Sequence, residues 1–77
     1  MRYFFDLGHE KLETLDAEGS EFASEAQMQG EARRILAEAA EAEARIRQSA
    51  ILTARVRDGS GNPVYRVVLT LEGQRLQ

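Results

Sequence analysis

The chain has 77 residues, no cysteine, a single histidine and a formal net charge of −3. That length suits one domain spanning residues 1–77, and a chain so short buries only roughly 60% of its extended surface. The missing cysteines exclude disulfides and thiolate metal sites, and His9 alone gives no basis for a histidine-ligated zinc centre.

The chain opens on Arg2-Tyr3-Phe4-Phe5-Asp6, where aromatics and alternation predict a strand over residues 2–7. The apolar run Tyr3 to Phe5 is too short for a signal-peptide core, and nothing approaches a membrane span. A cytoplasmic protein with no membrane partner is the expectation. Gly8-His9-Glu10 interrupts the alternation and reads as a turn. Alternation resumes over residues 11–15, with Leu12 and Thr14 on one face, which predicts a hairpin. Asp16-Ala17-Glu18-Gly19 reads as the turn that ends it, with Asp16 bonding downstream backbone and Gly19 in the left-handed region.

A helix is predicted over residues 25–47. Ser24 and Gln27 form a Ser-x-x-Gln capping box, and Ala23 and Met28 stand at hydrophobic-staple positions. Glu25 in the first turn and Arg45 and Arg47 in the last complement the helix dipole. Met28, Ala32, Ile35, Leu36, Ala39, Ala42 and Ile46 step by three and four, which marks one apolar stripe. Gly30 inside it either allows close approach to the sheet or is simply tolerated.

Two more strands follow, over residues 51–58 and 63–71. Asp58-Gly59-Ser60-Gly61-Asn62 forms the turn between them, shaped by Asp58 and Gly61, and Pro63 is acceptable at a strand start. Residues 72–77 are expected to fray. The sum is an α+β, ββαββ fold: one antiparallel sheet with a single long helix packed on one face. The core is expected to include Phe5, Leu36, Val56 and Val67.

Three blocks together resemble the domain-of-unknown-function 6894 family of small bacterial proteins. They are Arg2 to Asp6 at the start, Asp16-x-x-Gly19 before the helix, and Val56-x-Asp58-x-x-Gly61 in the second hairpin. The first turn departs mildly, with Gly8-His9-Glu10 in place of a more usual acidic-glycine turn. The resemblance spans nearly the whole chain and supports the fold. It implies no activity.

Candidate chemistry is sparse. Asp6, His9, Glu10 and Asp16 could approach a hard cation, but their spacing matches no known calcium loop. His9 as a general base needs a nucleophile, and Ser20, Ser24, Ser49 and Ser60 all have cap, turn or loop roles. Gly59-Ser60-Gly61 precedes a strand, where a phosphate-binding loop feeds a helix. No catalytic residue, metal, cofactor or small-molecule substrate is expected.

The stronger candidate is the sheet face turned away from the helix. Alternation places Arg2, Phe4, Ile51, Arg55, Arg57, Val64, Arg66 and Val68 there. Charge is divided along the chain: residues 10–43 carry ten acids against three bases, a net of −7, and residues 44–77 a net of +4. Arginines interleaved with an aromatic and aliphatics suit a protein interface, with Phe4 as a natural anchor. The expectation is a non-enzymatic interaction module that self-associates, as a homodimer, through this face or a sheet edge. The alternatives are a small nucleic-acid-binding regulator using the arginines, which the acidity opposes, and an antitoxin-like domain by fold analogy. A solvated face with scattered apolar residues is the plain alternative to all of these.

Overall fold

The computed structural model describes residues 1–9 and 11–77; Glu10, in the predicted first turn, lies outside them. In chain order the elements are β1 (Arg2–His9), β2 (Leu12–Thr14), β3 (Ser20–Glu21), α1 (Glu25–Ala44), β4 (Ser49–Asp58) and β5 (Pro63–Glu72). All strand pairings are antiparallel, in the order β2-β1-β4-β5, with β3 also on β1. This is one five-stranded antiparallel sheet with one helix, an α+β fold in which the short β3 is added to a ββαββ order, among the described residues.

β2 and β3 share one side of β1. β2 pairs with Leu7, Gly8 and His9, and β3 with Arg2 and Tyr3. Between them the chain leaves the sheet over residues 15–19. β3 was not expected. β1 also runs two residues past its predicted end, so Gly8 is a strand residue pairing with Glu13 and Thr53 instead of a turn glycine.

The helix start follows its capping box in one half, and in the other Gln27 reaches one residue past the cap, to Ala23. Ser24 Oγ accepts from the Gln27 N–H at 3.2 Å, and Gln27 Oε1 accepts from the Ala23 N–H at 3.2 Å. Ala23 itself is exposed and makes no staple. Phe22 does that work, packing on the cluster that holds Met28 and meeting Phe5 edge-on at 5.6 Å between centroids.

The helix ends at Ala44, three residues short of the predicted end, so Arg45 and Arg47 lie beyond its last turn. They pair instead with Glu41 and Glu43 at 3.1 and 2.8 Å. Its buried stripe is Met28, Ala32, Leu36 and Ala40, stepping by four. Ala42 is exposed and Ile46 is 74% exposed, so neither belongs to the stripe. A β-carbon on Gly30 would meet only the Arg33 side chain, at 3.8 Å, so Gly30 is tolerated and no close approach depends on it.

α1 lies chiefly over β4 and β5. One buried cluster joins Tyr3, Phe5, Met28, Ala32 and Val56, and a second joins Leu36, Ala40, Leu52 and Ala54. Val67 packs against both but is half-buried, unlike Phe5, Leu36 and Val56, because β5 is the last strand of the sheet and no further strand flanks it among the described residues.

β4 and β5 start and end at Ser49 and Glu72, slightly beyond the predicted bounds. Their turn closes on Asp58, whose Oδ1 accepts from the Ser60 and Asn62 N–H groups at 2.9 and 3.0 Å. Gly61 has φ +87° there. A register shift between Val56 and Arg57 follows, because Val56 pairs Tyr65 and Arg57 pairs Pro63.

Candidate functional site

The sheet face opposite the helix divides into a closed half over β1 and an open half over β4 and β5. The closed half begins with a gap. Between its pairings to β2 and β3, the middle of β1 has no strand on the side away from β4. Asp16 fills the gap: its Oδ2 accepts from the Phe5 N–H at 3.1 Å, in place of a ladder bond. Its Oδ1 accepts from the Glu18 and Gly19 N–H groups at 3.1 and 3.0 Å, which shapes the turn.

The same excursion buries Asp6, which is 3% exposed. Asp6 Oδ1 accepts from the Asp16 N–H at 2.9 Å. Arg57 grips Asp6 with two donors, Nε to Oδ2 at 2.7 Å and Nη2 to Oδ1 at 3.1 Å, and Nη2 also reaches the Asp16 carbonyl at 2.8 Å. This is the two-pronged guanidinium–carboxylate geometry that makes charged hydrogen bonds strong. The guanidinium also lies over the Phe4 ring, 5.0 Å from its centroid.

The electrostatics follow from these contacts. The Arg57 hydrogen bonds hold the Asp6 carboxyl below its ordinary value against the opposing push of burial. For Asp16, burial pushes up, but the Gly19, Phe5 and Glu18 N–H groups, with Arg57 nearby, leave it below the ordinary value as well. Both carboxylates are held ionised.

Gly19 completes the closed half. Its φ is +74°, and a β-carbon there would lie 2.9 Å from the Phe4 ring and 2.9 Å from the Tyr3 carbonyl oxygen. Gly19→Val is therefore expected to lose about 1–3 kcal/mol from backbone strain alone, with the clash adding to it. Thermal unfolding checks this; an unchanged Tm would contradict the turn geometry.

Of the eight residues placed on this face from sequence, three are thus engaged within the fold. Arg57 and Phe4 belong to the network above. Arg2 donates to the Glu18 carbonyl at 2.6 Å and sits 3.7 Å from Glu21. Phe4 is half-buried under Arg57 and is no open anchor.

The other five remain open. Ile51, Val64 and Val68 are 59%, 44% and 44% exposed. Arg55 and Arg66 are direct cross-strand partners, both exposed, with no ion pair to a described residue. They border a shallow concavity of about 490 Å3 that runs from β5 across to Lys11, Leu12 and Glu13.

The sequence reading missed the Asp6–Arg57 pair and Phe22. Among the described residues, no three metal-binding side chains gather in one place. Asp6 and Asp16 are committed to the network, and Glu10 is outside the described residues. His9 Nε2 is buried without a partner among the described residues. Ser24 caps α1, Ser20 lies in β3, Ser49 opens β4, and Ser60 sits in the β4–β5 turn.

The three sequence blocks Arg2 to Asp6, Asp16 to Gly19 and Val56 to Gly61 therefore meet at one place, on the closed half and the neighbouring turn. A family model described as Domain of unknown function (DUF6894) matches residues 2–70. The chain belongs to that family. No curated protein and no solved structure matches it. In this member of the DUF6894 family, the motif charges Asp6 and Asp16 are tied to Arg57 and to backbone, so they act on the fold. No helix among the described residues is long and apolar enough to cross a membrane.

Proposed function

We propose that this chain is a non-enzymatic interaction module that pairs with a second copy of itself along β5. The observation that carries the reading is the open edge. β5 ends the sheet order, runs for ten residues, and has no strand on its far side among the described residues. Edges of this length present a row of free N–H and C=O groups and are normally blunted by charge, proline or bulges. Here Pro63 lies at the first residue, the register shift lies near the same end, and the stretch Val67-Val68-Leu69-Thr70-Leu71 carries no charge at all.

Surface area points the same way. The chain exposes 5699 Å2, against about 4,700 Å2 expected for a monomer of its mass. The molecule measures 50 × 23 × 16 Å, which is two layers thin.

Light scattering after size exclusion tests the reading. The wild-type chain is expected at twice 8.6 kDa, and Val68→Lys at the monomer mass with its fold intact, since Val68 is already 44% exposed. A wild-type chain that stays monomeric at high micromolar concentration overturns it.

One observation favours a second reading, binding of a polyanion. Arg55 and Arg66 face each other directly, and like charges so placed repel unless something neutralises them. A complex with RNA or DNA that weakens steeply with salt would support this second reading over self-association.

A further inference from the structure

We infer the register of the pairing: a two-fold axis passes beside Leu69, so that Arg66 of one copy faces Glu72 of the other. This deepens the self-association reading and rests on it. Even-numbered β5 residues from Val64 to Glu72 are on the open face, and the odd-numbered ones from Tyr65 to Leu71 are half-buried on the helix side. Antiparallel self-pairing keeps each set on its own face, so only the axis position remains to be chosen.

An axis at Arg66 sets two arginines against each other, which like charges disfavour. An axis at Val67 brings Pro63, which has no N–H, opposite Leu71 inside the ladder. An axis at Val68 sets Arg66 against Thr70 and Glu72 against Val64, which leaves both charges unmatched. An axis at Leu69 pairs Arg66 with Glu72 twice, Val68 with Thr70, Val67 with Leu71 and Leu69 with itself. Pro63 then falls outside the paired stretch. Of these registers, this one alone sets opposite charges against each other.

The helix layer fits the same axis. α1 spans β4 and β5, so its axis runs about half a strand spacing inside β5, and the two-fold lies another half spacing outside. The two helices would then be roughly 10 Å apart, within the range of packed helices. Arg33 reaches the Tyr65 hydroxyl at 3.0 Å and so marks the flank of α1 on the β5 side. At about 100° per residue, Ala37, Ala40 and Ala44 share that flank. Ala40 sits in the cluster against which Leu69 packs. Small side chains therefore stand where the two helices approach most closely.

Cysteine pairing tests the register, because the chain has no cysteine of its own. Directly opposed residues in an antiparallel pair lie within disulfide reach. Arg66→Cys and Glu72→Cys variants are prepared separately, mixed and oxidised mildly. A linked dimer is expected in the mixture, at least tenfold above either variant alone. Val68→Cys alone should not link; if it does, the axis lies at Val68 and the register is wrong. A dimer by light scattering with no 66–72 link overturns the register and leaves the self-association reading standing. A monomer by light scattering overturns both.

Discussion

Leu36→Ala is expected to lower stability by about 2–5 kcal/mol, the range for emptying a buried leucine site. Leu36 is 1% exposed and, with Met28 and Val56, is one of the three largest fully enclosed side chains among the described residues. Its buried neighbours include Ala40 and Ala54, which have no length with which to fill the space. A chain of 77 residues has a total stability of about 4–12 kcal/mol at usual values per residue, so the loss removes a large share. Urea unfolding measures it through the shift in midpoint. Ile46→Ala serves as the control. Ile46 is 74% exposed, and its loss should stay within about 0.5 kcal/mol. A midpoint for Leu36→Ala as little changed as the control's would mean that the helix does not seat on the sheet as described.

Asp6→Ala is expected to cost about 3 kcal/mol, the lower end for removing one partner of a buried ion pair. The lower end applies because the Arg57 side chain retains 29% exposure and can recover some hydration. The deletion also strips the Asp16 N–H of its acceptor and loosens the turn that covers β1. The same network sets an acid limb. Asp6 and Asp16 both titrate below their ordinary values when folded, so the unfolded chain binds protons first as pH drops. Their contribution is complete above the unfolded carboxylate value of about 4 and is lost as pH falls through the lower folded values. Asp6→Ala should therefore show a shallower loss of stability below about pH 4 than the wild type. Parallel acid curves would contradict the network.

The strand faces were legible in the sequence because alternation is local: Tyr3 and Phe5 inward and Phe4 outward follow from spacing alone. The helix start was legible for a similar reason, since Ser24 and Gln27 stand three apart. What escaped was contact across distance. Asp6 and Arg57 are 51 residues apart, and each alone reads as a solvated outward residue. Only the path of residues 15–19 over the outer face makes them a buried pair, and no spacing announces that path. One signal did exist. All three motif blocks carry or flank a charge (Asp6, Asp16, Arg57), and charges recurring in separate blocks are candidates to meet. The helix end was misplaced because Ile46 continues the apolar period while the chain has already turned toward β4. The open site was legible in part. Ile51, Arg55, Val64, Arg66 and Val68 share a face by alternation, but that β5 is an edge depends on strand order, which no single strand encodes.

Amide hydrogen exchange along β5 tests the self-association claim most directly. In a lone copy, alternate amides of β5 bond to β4 and the intervening ones face solvent. Pairing with a second copy gives those intervening amides partners. Near-continuous protection from Arg66 to Glu72 is expected at high micromolar concentration, giving way to an every-second-residue pattern on dilution. An every-second-residue pattern at all concentrations would contradict it.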